Sequence, residues 1–87
     1  MFIDRVKPAY PAAAKRLNQQ GRVVVRIYVS VSGKIEKVEI AESSGSSLLD
    51  DAALSAAQRS RLRPAYVGNR PIDSKVEAPY RFVLKDG

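Results

Sequence analysis

Arg22-Val23-Val24-Val25-Arg26-Ile27-Tyr28-Val29-Ser30-Val31 is the stretch that decides the fold. Val23, Val25, Ile27, Val29 and Val31 share one parity; Arg22, Arg26, Tyr28 and Ser30 share the other, with Val24 as its one aliphatic member. A period of two in a run rich in β-branched residues describes a strand with one buried face. Aliphatic side chains along the whole of one face need cover along the whole strand. The run is therefore expected to be the central strand of a small sheet, ending at the Ser32-Gly33 turn signal.

On its N-terminal side, residues 1–7 read as an extended approach in which Met1-Phe2-Ile3-Asp4 has no structural logic of its own; the domain proper spans 8–87. Pro11 suits the first position of a helix, where its missing N–H costs nothing. The spacing predicts a helix over Ala12–Gln20, stopped by Gly21 as a left-handed cap. Under three turns long, it must dock on the sheet, with Tyr10, Ala13, Ala14 and Leu17 as its contact face.

On the C-terminal side, Lys34–Glu42 returns as a hairpin partner. Val38 and Ile40 alternate, Ile35 is out of phase, and a bulge or a wide turn near Glu36-Lys37 restores the register. A second helix starts at Ser46 or Ser47, where serine caps and Asp50 or Asp51 suits the positive helix end. Leu48, Leu49, Ala52, Ala53, Ala56 and Ala57 form its apolar stripe, and Ser60-Arg61 closes it. Arg63–Pro71 makes a turn-rich crossing. The last strand runs from Ser74 to Lys85, with Val76, Ala78, Tyr80, Phe82 and Leu84 on one face. These elements predict an α+β domain, ordered α-β-β-α-β, with two short helices on one face of a three-stranded antiparallel sheet.

Pro79 places the last strand at the sheet edge, because proline lacks a ladder donor. Its slot then faces outward, and by alternation so do those of Glu77, Arg81 and Val83, while Ala78, Tyr80, Phe82 and Leu84 bond inward. Exposed Lys75, Arg81 and Lys85 guard this edge against self-pairing, and equally suit an incoming extended peptide. The expected partner-binding residues are Lys75, Glu77, Pro79, Arg81, Val83 and Lys85.

The chain has 87 residues, which bounds it to one domain. It contains no cysteine and no histidine, which argues against thiol and histidine catalysis, zinc and iron–sulfur sites and disulfides. Asp50 and Asp51 diverge by about 100° on a helix and cannot share a proton. Ser43–Ser47 lacks the glycine and lysine spacing of a phosphate loop. No nucleophile has a base partner, so the chain reads as a non-enzyme without cofactor or metal. Fifteen basic against nine acidic residues give a net charge of +6. A basic sheet face of Arg22, Arg26, Tyr28, Lys75, Arg81 and Lys85 carries one aromatic, thin for base stacking, and no nucleic-acid partner is expected. No apolar run approaches the roughly 20 residues of a membrane span, and no signal peptide opens the chain.

Tyr10-Pro11, Gly21 before the alternating strand, Gly33, Ser43-Ser44-Gly45, Leu49-Asp50 with Ala52-Ala53 and Ala56, Arg61-Leu62-Arg63-Pro64-Ala65, Gly68 and Phe82-Val83-Leu84 together resemble the C-terminal domain of the TonB energy-transducer family. The resemblance covers Pro8 to Lys85. In that family an aromatic commonly stands where Leu62 is, a departure that touches packing rather than fold. The resemblance implies a periplasmic domain of an inner-membrane-anchored protein that couples a proton-driven motor to outer-membrane transporters for iron-siderophores, haem or cobalamin. It implies that the domain grips the transporter's TonB box as an added strand, with secondary contacts from Lys7, Pro8, Tyr10 and Pro11. The same edge also allows a homodimer. A TolA-like periplasmic module and a basic RNA-binding domain are the alternative readings.

Overall fold

A computed structural model describes residues 2–84. In chain order the elements are β1 (Phe2–Asp4), α1 (Ala12–Arg16), β2 (Gly21–Val29), β3 (Ile35–Glu42), α2 (Ser47–Arg59), β4 (Arg61–Leu62), β5 (Ala65–Val67), β6 (Arg70–Ile72) and β7 (Ser74–Phe82). The main sheet has the order β3-β2-β7, antiparallel throughout. The deciding stretch is thus its central strand. Val23, Val25, Ile27 and Val29 are buried to within 1% of complete, and Leu49, Ala53, Ala56 and Ala57 of α2 complete the same core. An alanine face lets the helix lie close to the sheet.

Each end of α2 is fixed by serine chemistry. The Ser46 hydroxyl accepts the Leu49 N–H at 3.3 Å. Asp50 accepts the Ser44 N–H (3.0 Å), the Ser44 hydroxyl (2.8 Å) and the Ser43 hydroxyl. Burial pushes the Asp50 carboxyl up, but the hydrogen bonds from Ser43 and Ser44 outweigh it and hold the group below its ordinary value. At the far end the buried Ser60 hydroxyl donates to the Ala56 carbonyl (2.9 Å) and accepts the Val6 N–H (3.0 Å). That pair of bonds ties the N-terminal segment to the helix end.

Of the two ways to restore the register, a bulge or a wide turn, the chain uses a bulge. Tyr28 pairs with Lys37 but Val29 with Ile35, which leaves Glu36 as the extra residue; a second irregularity lies between Val24 and Val25, opposite Glu42 and Ile40. The hairpin turns through Gly33 at φ +84, where an added Cβ would lie 2.9 Å from the Leu62 carbonyl oxygen.

Several expectations are corrected. α1 ends at Arg16, and the left-handed residue is Asn18 (φ 54) rather than Gly21, which opens β2. Asparagine tolerates that region better than most side chains. Its early turn frees Gln19 to be pinned by the Tyr10 hydroxyl on its carbonyl and the Ser46 hydroxyl on its side chain. Leu17 therefore leaves the helix face and stands 64% exposed. Phe2–Asp4 is not without structure: as β1 it pairs with β4, and Phe2 packs against the core, while Met1 lies outside the described residues. The central strand stops at Val29, because the Ser30 N–H bonds to the Lys34 carbonyl and turns Val31 outward. β7 ends at Phe82; Lys85 lies outside the described residues. The crossing holds a small hairpin, β5–β6, turning at Gly68 (φ 62) and Asn69.

Candidate functional site

A sheet of three strands has two outer edges, and they differ as templates. β3 carries two register irregularities, which interrupt the regular spacing of donors and acceptors. β7 pairs with β2 through nine consecutive positions without one. Its Val76, Ala78, Tyr80 and Phe82 turn to the core side, and Lys75, Glu77, Pro79 and Arg81 are exposed. β7 is the regular edge.

Pro79 stands opposite Val24. Without an N–H it cannot exchange two hydrogen bonds in a narrow antiparallel pair, so it belongs at a wide pair, whose polar groups point away from the partner strand. In agreement, the Pro79 carbonyl accepts the Arg5 guanidinium. That guanidinium also lies 4.7 Å from the centre of the Tyr80 ring and 5.3 Å from that of Phe2, a cation–π arrangement. Tyr10 meets Phe82 edge-on at 5.4 Å. Between the N-terminal segment and β7 runs a groove of about 440 Å³, with Arg5, Lys7, Pro8 and Tyr10 on one wall and Pro79, Arg81 and Val83 on the other.

The groove brings together Lys7, Pro8 and Tyr10 with Pro79, Arg81 and Val83, all expected site residues. Lys75 and Glu77 lie farther along β7, Pro11 precedes α1 and is not in the groove wall, and Lys85 falls outside the described residues. Sequence reasoning missed Arg5 and Val6. Neither sits in a periodic run, and their roles depend on partners 74 and 54 residues away.

The face of the sheet away from the helices is not uniformly basic. Arg26 donates to Glu77 (2.8 and 3.1 Å) and to Glu39 (3.3 Å), and the Tyr28 hydroxyl donates to Glu39 at 2.7 Å. The Glu77 and then the Glu39 hydrogen bonds raise the Arg26 pKa above its ordinary value. The Tyr28 hydroxyl, against some desolvation, together with Arg26 and Lys37 holds the Glu39 carboxyl low. The middle of this face is electrically settled.

Sheet order, register and helix placement define a small α+β domain with a regular edge strand whose outer side pairs with no other strand among the described residues. The family described as Gram-negative bacterial TonB protein C-terminal matches residues 6–84, and the chain belongs to that family. It is 35% identical over 83 residues to the protein tonB2 of Pseudomonas aeruginosa, covering 95% of this chain and 31% of that protein. It is 48% identical over 52 residues to the TonB protein of Neisseria gonorrhoeae, covering 60% of this chain and 18% of that one. A third relative, TonB of Vibrio cholerae, is 30% identical over 81 residues, 93% of this chain and 33% of its own. The chain thus spans a third or less of these curated relatives. The solution structures of the TonB C-terminal domains of P. aeruginosa (TM-score 0.78, 22% identity, 100% of this chain and 88% of that one) and Helicobacter pylori (0.66, 23%, 93% and 85%) share the fold.

Proposed function

We propose that this chain is the partner-binding domain of a periplasmic, inner-membrane-anchored energy transducer. It takes an extended segment of an outer-membrane transporter, the TonB box, as an added strand on the outer edge of β7. Through regions outside this chain the protein answers to a proton-driven motor, and its transporters import scarce metal complexes or cofactors such as iron-siderophores, haem or cobalamin.

The observation that carries the reading is the nine-position regular register of β7 at the open side of the sheet, facing a groove. Main-chain pairing is nearly indifferent to side-chain identity, so one edge serves many transporters, and a row of backbone bonds transmits a pull. Membership in the TonB C-terminal family supports it.

Hydrogen exchange tests the reading. In the free monomer the amides of Arg81 and Val83 should exchange fast while those of Tyr80 and Phe82 are protected, and a TonB-box peptide should slow the first pair selectively. Arg81→Pro should abolish peptide binding and leave the domain folded. Protection of Arg81 and Val83 in the free monomer, or a bound peptide that leaves them unchanged, overturns it. The same edge would also accept a second copy, which a concentration series in analytical ultracentrifugation reads directly.

A further inference from the structure

The register puts Arg22 directly opposite Arg81 on the face away from the helices. Both side chains are exposed, and among the described residues neither forms an ion pair. Like charges placed directly opposite across a sheet repel. Among the described residues nothing nearby offsets this: Glu77 is committed to Arg26, and Glu42, opposite Val24, bridges to neither arginine. The contrast with Arg26, held between two carboxylates on the same face, is sharp. Arg22, Arg81 and Pro79 bound a separate notch of about 300 Å³ that opens beside the β7 edge.

We propose that Arg22 and Arg81 form a carboxylate-accepting notch that selects a partner strand with an acidic side chain on its outward face. This rests on the edge-pairing reading above. A strand added outside β7 would set every second side chain on the face that carries the arginines. Opposite Arg81, its Cβ would lie about 4.5–5.5 Å from that of Arg81. A Glu or Asp there meets Arg81 directly, and the long Arg22 side chain reaches across from the next strand. Binding then turns a repelling pair into a bridged one, so the backbone supplies general affinity and the notch supplies preference among partners.

The test uses two capped nine-residue peptides of alternating Val and Thr that differ only in one central Thr position, replaced by Glu or by Gln. Chemical shifts of the Arg81 and Val83 amides report pairing; the Nε–H signals of Arg22 and Arg81 report the carboxylate. The Glu peptide should bind about three- to tenfold tighter than the Gln peptide, as expected for an exposed but doubly contacted ion pair that also relieves a repulsion. The preference should disappear in Arg22→Gln, a change on β2 that leaves the outer edge intact. Equal affinities with the edge amides shifted would refute the notch and leave the pairing reading standing. If neither peptide shifts the edge amides, the pairing reading falls and this proposal with it. An oligouridylate that displaces the Glu peptide at physiological salt would make the notch a nucleic-acid site and likewise overturn the proposal.

Discussion

Ile27 sits on the central strand, between Val38 and Val76 on its two flanks, and is fully buried. Ile27→Ala removes three carbons. At about 0.8 kcal/mol for each buried CH₂, transfer alone accounts for about 2.4 kcal/mol. The cavity adds to this according to how far the surroundings can collapse. Here they collapse poorly: of the four buried α2 residues that share this core, Leu49, Ala53, Ala56 and Ala57, three are alanines with no rotamers to swing inward, and the flanking strands are held by their ladders. The loss should fall in the upper part of the usual range, about 3–5 kcal/mol. For a domain of 87 residues, whose whole stability is expected at about 0.05–0.15 kcal/mol per residue, that is a large share. Ile27→Val, one carbon smaller, should lose about 0.5–1.5 kcal/mol, and Leu17→Ala, on the exposed turn, should stay within about 0.5 kcal/mol. Urea unfolding followed by circular dichroism decides the series through midpoints at a common m-value. An Ile27→Ala loss no larger than that of Leu17→Ala would mean that the strand phase, and with it the choice of edge, is wrong.

Gly33→Ala should cost at least about 1–2 kcal/mol for its left-handed backbone, plus the displacement forced by a Cβ 2.9 Å from the Leu62 carbonyl; Gly68→Ala, with φ +62 in open space, should lose only the conformational part, and the difference in thermal midpoint isolates the clash. Glu39 and Asp50 hold their protons less tightly in the folded than in the unfolded state, so the unfolded chain takes up more protons on acidification. Their contribution should be complete at neutral pH and decline as pH falls below the ordinary values of 4.5 and 3.8; Asp50→Asn should flatten the acid side of a stability–pH curve. Arg22→Gln should stabilise the free domain by about 0.2–1 kcal/mol by removing a cross-strand repulsion, with the gain shrinking in high salt.

The elements legible in the sequence are those whose signal is periodic and continuous. The alternation of Val23 to Val29, the phase slip at Ile35, the serine cap and alanine stripe of α2, and the proline in β7 each carry their own cause within a few residues. What escaped depends on distant partners. Phe2–Asp4 is too short to show a period and becomes a strand only because Arg61-Leu62 lies alongside it. Gly21 outranks Asn18 as a left-handed residue on propensity, yet the chain turns at Asn18, and the turn leaves Gln19 to be held by Tyr10 and Ser46. The β5–β6 hairpin follows Pro64 and contains Pro71, prolines that read as interruption. At the candidate site the edge strand was visible through Pro79, while the wall formed by Arg5 and Val6 was not, since a guanidinium on a carbonyl leaves no trace in local composition.

The unbroken nine-position register between β2 and β7 also sets an order of mechanical failure. On the edge-pairing proposal, a guest strand along residues 79–83 would have fewer paired positions than β7 has with β2, and it would find no donor at Pro79. Under tension along the strands both rows would be sheared together, and the shorter row with the missing rung would give way first. The host strand would stay in place when the guest is torn off. Such a joint would release at its own boundary, without unravelling the domain, and be ready to engage again.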